Sequence, residues 1–402
     1  MRPHAEPRYS FTIPSIHDDT TLDCRLYLPE ALDASFHVDS TAQVRWIKRG
    51  IIVAHPYAPF GGSYDDRVVG IVVGEFLSLG HVVGTFNFRG AHGSKGRTSW
   101  SGKPEVNDYI SFAAFFIHYL SYIRPHPAGN MDATLPRPDR PSAPAKDVGT
   151  PSDQEYTIIL GGYSHGSLIV QHLPPVPSML QPFFSAPPGS AMEEIVTRAR
   201  TLSHQTNAEY FTQSLARKDE RCGRHENILS VVMGGEETSP DQRRSSREVT
   251  HSTEGRRSSE LRSALRSMSH TKRNLETTPT SNPTPGERHI RMPRVRYLLI
   301  SPLTGPLSFL AAPGLGPGFW PRALESTQLL GKYPSLVLYG ERDSFSSASK
   351  LRAWATQLSG QPDSQLCHRD IPDAGHFWCE HGVEGQLRAS LREWGRRTNE
   401  LD

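Results

Sequence analysis

A serine between two glycines is the feature of this 402-residue chain with the most evident chemistry. The sequence Gly162-Tyr-Ser164-His-Gly166 directly follows Tyr156–Gly161, a short apolar segment typical of a buried strand. A serine on a sharp turn from a strand into a helix needs small neighbours so that the turn can close. Because the pattern is short enough to arise by chance, a glycine-rich loop with a surface serine is the alternative. Its place between a strand and a helix favours a nucleophile at Ser164.

A serine hydroxyl becomes a good nucleophile only when a base takes its proton, and that base needs an acid to orient it. The chain order serine, acid, histidine is typical of this strand–turn–helix arrangement. Asp343 follows a predicted strand over Ser335–Tyr339, and His376 follows another over Gln365–Ile371. Because the carboxyl ends of parallel strands lie at one edge of a sheet, the three side chains can meet there. We therefore predict a catalytic triad of Ser164, Asp343 and His376.

Both partners of the serine also have plain structural interpretations. Asp343 could be the N-cap of a helix predicted over Ser346–Leu358, and His376 could be an ordinary turn histidine. Each interpretation is plausible singly, but three such residues in the required order and sheet positions are much less expected by accident.

Four other side chains compete for these roles on weaker grounds. Glu341 lies earlier in the turn that carries Asp343, and His368 lies within a predicted strand. His381 begins the predicted last helix, and His165 is adjacent to the serine. We expect the imidazole of His165 to flank the site rather than to act as the base.

The oxyanion of a tetrahedral intermediate needs N–H donors that are already in place. One should be the backbone N–H of His165, the residue after the nucleophile. The other should come from the loop after the predicted strand Gly50–Ala54, which begins His55-Pro56-Tyr57. Because proline has no N–H, we predict Tyr57 as the second donor. The alternative is a loop that is merely stiffened by proline.

Short apolar strands that alternate with helices surround these residues. The further predicted elements are an entry hairpin over Phe11–Pro14 and Thr21–Pro29, strands over Val82–Phe88 and Tyr297–Ser301, and helices over Arg67–Leu79, Val106–Ile123 and about Glu384–Trp394. This alternation predicts an α/β fold with a mostly parallel central sheet and helices on both of its faces.

Two stretches of the chain interrupt this pattern. Residues 212–296 contain no Phe, Tyr or Trp and are rich in Ser and Arg, so we predict a long disordered insert. Residues 124–155 contain seven prolines and no aromatic residue, which indicates a surface loop. A single α/β domain should therefore consist of residues 1–211 and 297–402, with the Pro-rich loop 124–155 inside it.

The composition excludes several classes of protein. The net charge of +2 argues against a nucleic-acid scaffold, and the longest apolar run, Phe112–Leu120, is too short to span a membrane. The first residues show no secretory signal, and four scattered cysteines show neither CxxC spacing nor the density of a disulfide framework. We expect a cytoplasmic protein. No metal-ligand cluster or phosphate loop is evident in the sequence, so we expect no metal and no cofactor.

Two motifs carry a resemblance to a known group of proteins. They read His55-Pro-Tyr-Ala-Pro-Phe-Gly-Gly62 and Phe86-Asn-Phe-Arg-Gly90. With them, the chain resembles serine hydrolases of the α/β-hydrolase superfamily over residues 45–124, 156–175 and 296–396. The resemblance implies the α/β-hydrolase fold, the triad given above, and structural roles for Arg89 and Gly90.

The expected activity is hydrolysis of an ester or thioester through an acyl-enzyme intermediate. Two apolar segments, Leu173–Pro188 and Thr304–Trp320, could wall a pocket for a small hydrophobic acyl substrate or could simply belong to the core. Cleavage of a C–C bond, or acyl transfer to an alcohol, would use the same triad.

A different class of function is a non-catalytic binding or scaffold protein that acts through its basic insert. The sequence Arg-Arg-Ser-Ser occurs there twice, which places Ser246 and Ser259 in a context that basophilic protein kinases favour. Phosphorylation would reverse the local charge. A merely solvated linker is the alternative.

Overall fold

The computed structural model describes residues 5–30, 32, 46–124, 154–221, 290–303, 312–315 and 323–400. All of them fall within one structural unit formed by Met1–His225 and Arg288–Asp402. Most of the predicted Pro-rich loop and of the predicted insert, including Ser246 and Ser259, lies outside the described residues.

Eight described strands form one sheet. They are β1 (Tyr9–Pro14), β2 (Thr21–Tyr27), β3 (Arg49–Ala54), β4 (Val82–Phe86), β5 (Thr157–Tyr163), β6 (Arg294–Ile300), β7 (Ser335–Gly340) and β8 (Leu366–Ile371). Their order across the sheet is β1-β2-β4-β3-β5-β6-β7-β8. Strand β2 runs antiparallel to both of its neighbours, and the pairs from β4 to β8 are parallel. The prediction of a mostly parallel sheet is confirmed.

Eight α-helices also lie within the described residues. They are α1 (Arg67–Ser78), α2 (Lys103–Tyr122), α3 (His165–Val170), α4 (Val176–Phe184), α5 (Ala191–Arg221), α6 (Ala323–Lys332), α7 (Ala348–Ser359) and α8 (Val383–Asn399). Helices cover both faces of the sheet, as predicted.

The core has one layer on each face of the sheet. Alternate residues of β3 enter opposite layers, with Ile52 packed among the aromatic residues of α2 and Ile51 among the apolar residues of α1 and α8. In the first layer Phe112 and Phe116 are fully buried, and each such side chain contributes about 1.5–3 kcal/mol relative to exposure. Because both faces are covered, the central strands are continuous apolar runs rather than alternating ones.

Two regions differ from the sequence prediction. Helix α5 continues to Arg221, past the residue at which we expected the insert to begin, and β6 already starts at Arg294, before the expected end. The segment Leu173–Pro188 contains helix α4, whose Met179 and Phe183 are buried in the core. This favours the packing interpretation of that segment over a wall of the substrate pocket.

Among the residues that the structure describes, no helix combines the length and the apolar character needed to cross a membrane.

Candidate active site

Ser164 lies at the turn from β5 into α3, in a backbone conformation that residues other than glycine rarely adopt. Its φ is 54° and its ψ is −113°. A Cβ atom on Gly162 would collide with the backbone of Gly166, and one on Gly166 would lie 2.5 Å from the carbonyl oxygen of Ala54. Both glycines are therefore required by close packing, and the strained turn lifts the hydroxyl of Ser164 toward the sheet edge.

Ser167 binds this turn to the neighbouring strand. Its Oγ donates a hydrogen bond to the carbonyl oxygen of Gly162 at 2.5 Å and accepts one from the N–H of Ile300 at 3.0 Å. The N–H of Ser164 donates to the carbonyl oxygen of Ile300 at 2.8 Å. Sequence reasoning missed this role of Ser167, because a serine three residues after a nucleophile carries no signal of its own.

The structure brings the three predicted triad residues together. Ser164 Oγ lies 2.8 Å from His376 Nε2, and His376 Nδ1 lies 2.8 Å from Asp343 Oδ2. Because a carboxylate only accepts, Nδ1–H donates to Asp343, which leaves Nε2 to accept the hydroxyl proton of Ser164. The side chain of Asp343 is 0% exposed and that of His376 is 4% exposed, so bulk water does not compete for this chain of hydrogen bonds.

The second carboxylate oxygen of Asp343 is also occupied. Oδ1 accepts hydrogen bonds from the N–H groups of Phe345 and Ser346, at 2.8 and 2.9 Å. Helix α7 begins later, at Ala348, and its N-cap residue is Ser347. The interpretation of Asp343 as the N-cap of this helix is therefore wrong, and the carboxylate is fixed with one oxygen directed at the imidazole.

Side chains from two strand ends hold the histidine. The Tyr163 hydroxyl donates a hydrogen bond to the carbonyl oxygen of His376 at 2.8 Å. The ring of Phe345 packs against the imidazole with the centroids 4.5 Å apart. Two residues further on, the indole N–H of Trp378 donates to Ser301 Oγ at 3.0 Å. These contacts fix the loop after β8 on the ends of β5 and β6 and on the loop after β7.

Three of the competing side chains point elsewhere or lie on the surface. Glu341 pairs with Arg352 in an exposed ion pair, and His368 Nδ1 lies 3.3 Å from the hydroxyl of Tyr339. His381 is exposed in the turn before α8.

His165, the fourth competitor, packs beside the serine without taking part in the hydrogen-bonded chain. Its ring is buried against Tyr57 and Phe88, with centroid distances of 5.1 and 5.7 Å. Burial, and to a lesser extent the neighbouring His55, lowers the pKa of His165 to about 3. The ring is therefore neutral near pH 7 and flanks the site, as its position in the sequence predicts.

The loop that carries Tyr57 is fixed by a buried histidine that sequence reasoning did not single out. His55 Nε2 accepts a hydrogen bond from the N–H of Phe88 at 2.9 Å, so Nδ1 carries the proton and donates to the carbonyl oxygen of Pro56 at 2.6 Å. Burial lowers the pKa of His55 to about 4, which keeps this tautomer near pH 7. His55 thus ties the loop after β3 to the chain after β4, and this link joins the two motifs of the sequence.

Arg89, in the second motif, lies in a partly buried ion-pair network. Its guanidinium contacts Asp108 at 2.7 Å and Asp18 at 2.9 Å, and the side chain of Asp108 is 0% exposed. Arg89 thereby joins the loop after β4 to α2 and to the turn between β1 and β2, which agrees with a structural role.

A cavity of about 370 Å³ opens onto Ser164 and His376. Its apolar lining includes Pro56, Tyr57, Phe60, Leu303, Phe345 and Phe377. Phe60 and Phe377 are 79% and 59% exposed, which is unusual for phenylalanine and places apolar surface at the cavity. The described part of Thr304–Trp320, residues 312–315, is not among these lining residues.

A second cavity, of about 540 Å³, lies at the opposite end of the strands. It is lined near the start of β6 by Pro293 and Arg294, before β7 by Tyr333, and before β8 by Gln365. No serine, cysteine or histidine is among its described lining residues.

No group of three or more His, Cys, Asp or Glu side chains is placed to hold a metal ion within the described ranges.

No protein-family model and no curated protein matches the sequence. Solved structures do show a likeness. An α/β serine hydrolase homologue from Coxiella burnetii has 14% identity and a TM-score of 0.43, over 96% of this chain and 97% of that chain. A member of the α/β serine hydrolases without a lid, from Xanthomonas campestris, has 16% identity and a TM-score of 0.43, over 97% and 94%. An esterase from Pyrococcus furiosus has 10% identity and a TM-score of 0.41, over 97% and 89%.

The strand order itself defines the fold. Three features together constitute the α/β-hydrolase fold. They are an antiparallel second strand at one side of the sheet, a first crossover that places β4 between β2 and β3, and a serine turn after β5. The predicted fold class is confirmed.

Proposed function

We propose that the protein is a serine hydrolase that cleaves an ester or thioester through Ser164, His376 and Asp343. The observation that carries the proposal is the unbroken chain of two 2.8 Å hydrogen bonds from Ser164 Oγ to the buried carboxylate of Asp343. This geometry suits acyl transfer because each member already has the contact that its role requires.

In the first step His376 Nε2 removes the proton from Ser164 as the hydroxyl oxygen attacks the substrate carbonyl. The imidazolium that forms is stabilised by the adjacent carboxylate of Asp343, which also keeps Nδ1 protonated. The proton then passes from Nε2 to the departing alcohol or thiol, which leaves an acyl group on Ser164. Water attacks this acyl-enzyme by the same route and releases the acid.

Two backbone N–H groups are proposed to stabilise the oxyanion. His165 is the first residue of α3, where a helix leaves its N–H groups without intrahelical acceptors. Tyr57 lines the same cavity as Ser164, and its ring packs on that of His165. The contact between these rings and the link through His55 hold the two donors in a fixed relation. Loss of one such donor costs about 2.7–4 kcal/mol of transition-state stabilisation.

The substrate is proposed to be a small ester or thioester with a largely apolar body. A cavity of about 370 Å³ lies within the range of small-molecule sites, and its walls are mostly apolar and aromatic.

Labelling with a fluorophosphonate probe tests the nucleophile directly, because such probes react with activated serines and release fluoride. The intact chain should be labelled, and the Ser164→Ala variant should not. The matched control is Ser346→Ala, which removes the hydroxyl of another buried serine near Asp343. Labelling that persists in a folded Ser164→Ala protein would contradict the proposal, as would a folded wild-type protein that is never labelled.

A screen of p-nitrophenyl esters of increasing chain length, beside the matching acyl thioesters, would then define the substrate. The scaffold function of the insert, with phosphorylation of Ser246 and Ser259 by a protein kinase, stays a prediction.

A further inference from the structure

The triad cavity contains a carboxylate that the proposed reaction does not use. Asp66 lies between the loop after β3 and helix α1, and it lines the cavity together with Ser164 and His376. Asp66 thus shares one cavity with the catalytic imidazole, and its charge acts on the hydroxyl of Tyr163.

One half of this carboxylate has a clear structural role. Oδ1 is the N-cap acceptor of helix α1 and receives the N–H of Val68 at 2.7 Å and that of Val69 at 3.4 Å. An asparagine would fill this role equally well, since its amide oxygen also accepts and asparagine is among the preferred N-cap residues. Capping therefore does not by itself require the negative charge.

Asp66 forms no ion pair among the described residues, although the charge of the adjacent Arg67 favours its ionised form. Arg67, the next residue, instead pairs with Glu384 at 2.6 Å and donates to the carbonyl oxygen of Trp378 at 2.8 Å. The start of α1 contributes about half a positive charge, less than the full charge of the carboxylate. Burial raises the pKa of Asp66 above its usual value, while the N–H groups of Val68 and Val69 oppose this shift.

Aromatic rings supply much of the remaining cavity wall. Tyr57 and Phe60 lie on the loop after β3, while Phe345 and Phe377 lie on the loops after β7 and β8. The faces of such rings attract cations, and a carboxylate among aromatic rings is the usual environment for a substituted ammonium group. An anion would meet both the rings and Asp66 unfavourably.

We propose that Asp66 determines specificity, and that the cavity accepts esters or thioesters that carry an ammonium group near the scissile bond. Neutral hydrophobic esters are accepted less well, and esters with a nearby carboxylate are rejected. This inference rests on the proposed hydrolase function and identifies the substrate class of the same site.

Three thioesters that differ chiefly in charge provide the test. Butyrylthiocholine is cationic, S-(3,3-dimethylbutyl) thiobutyrate replaces its trimethylammonium with a tert-butyl group, and S-(2-carboxyethyl) thiobutyrate is anionic. The measurement is kcat/KM at pH 8.0 and fixed ionic strength, from the rate of thiol release. The effect of a positive charge on the acyl side is tested with a second pair of esters. The p-nitrophenyl ester of 4-(trimethylammonio)butyrate is cationic, and that of 5,5-dimethylhexanoate is its neutral partner.

In the wild-type protein we expect kcat/KM for a cationic ester to exceed that for its neutral partner about tenfold in at least one series. Asp66→Asn should bring this ratio close to one and raise the relative rate of the anionic thioester by about tenfold. The matched control is Asp65→Asn, which removes the same charge one residue earlier. Asp65 pairs with Arg25 at 2.5 Å and does not line the cavity, so its loss should leave the ratios unchanged.

The outcomes separate this inference from the proposed function. Cleavage of the neutral esters without preference for the cation in either series would overturn the inference and leave the hydrolase intact. The inference would also be overturned if Asp66→Asn changed the rates of all the esters by one common factor, since loss of the N-cap of helix α1 would have that effect. Absence of any turnover that depends on Ser164 would overturn both.

Discussion

The two cavities lie at opposite ends of the same parallel strands, and they differ more in chemistry than in size. The larger one, about 540 Å³, meets the start of β6 and is lined mainly by proline, tyrosine and arginine side chains. The smaller one, about 370 Å³, meets the carboxyl ends of the strands and contains Ser164 and His376.

This difference follows from the direction of the strands. At the carboxyl edge each strand runs into a loop that precedes a helix, so side chains such as Ser164 and Asp343 stand at turns and converge. At the amino edge the chain arrives from helices and enters the strands directly, as at Tyr333 before β7. Convergence of polar groups, rather than cavity volume, therefore distinguishes the candidate site from the second cavity.

The largest expected effect is on the acid of the triad. Asp343→Asn should lower kcat for a p-nitrophenyl ester by about 10⁴-fold, because an amide in place of the carboxylate favours the wrong imidazole tautomer. The control is Glu341→Gln, two residues away, whose carboxylate pairs with the exposed Arg352. Equal losses in both variants would contradict the assignment of Asp343.

The corresponding change at the amino edge should have no such effect. Tyr333→Phe removes a hydroxyl from the lining of the second cavity and should leave kcat and KM of the same ester unchanged within error. A loss of turnover comparable to that of Asp343→Asn would mean that the two cavities are not functionally distinct.

A smaller effect is expected when the link between the two motifs is removed. His55→Leu deletes both hydrogen bonds of the imidazole and leaves the N–H of Phe88 buried without its acceptor, at a cost of about 1–3 kcal/mol of stability. If this link positions the N–H of Tyr57, kcat should fall by about ten- to a hundredfold with little change in KM. The change is measured with the same ester, and an unchanged kcat would show that the loop after β3 does not supply a donor to the oxyanion.

The serine turn gives a prediction about stability. Gly166→Ala places a methyl group 2.5 Å from the carbonyl oxygen of Ala54, and we expect it to lower the free energy of unfolding by about 1–3 kcal/mol. Gly385→Ala is the matched control, because its Cβ would meet open space within helix α8 and should stabilise by about 0.5–1 kcal/mol. Urea unfolding of both variants measures the difference, and equal stabilities would show that the turn can relax.

Much of the carboxyl edge could be predicted because its features are local. The strand β3 was expected over Gly50–Ala54 and is one residue longer, since a short apolar run covered on both faces permits few alternatives. The order of Ser164, Asp343 and His376 and their positions after strands placed them at one edge. That they meet at 2.8 Å could not be derived, because it depends on loop geometry after β7 and β8.

Helix α5 was missed because its sequence is polar on most of its surface. Among its described side chains, the buried ones include the small or polar Ala199, Ser203 and Thr206. Part of its contact with α2 is polar, through Thr206 and the hydroxyl of Tyr119. A helix stabilised by such tertiary contacts has no clear apolar period to reveal it. The roles of His55 and Ser167 were missed for a related reason, since each depends on one partner that is distant in the sequence, Phe88 and Ile300 respectively.

The smallest effect concerns acid stability, where the amino edge again differs from the site. His81 precedes β4, is fully buried against Phe76, and burial lowers its pKa to about 3. In the unfolded chain its pKa is about 6.5, so below that pH the unfolded state binds a proton that the folded state does not. The stability that the neutral, buried imidazole of His81 contributes is therefore fully present well above pH 6.5 and is lost as the pH falls toward 3.

Replacement of His81 by phenylalanine removes this titration without touching the triad. Between pH 7.5 and 5.5 the wild-type protein should lose about 1.4 kcal/mol more than His81→Phe in the free energy of unfolding, measured with urea. Between pH 7.5 and 9 the two proteins should show the same slope, because the imidazole is neutral there in both states. If the free energies of unfolding of the two proteins also change in parallel between pH 7.5 and 5.5, His81 can be protonated in the folded protein. The amino edge would then be more accessible to water than its packing indicates.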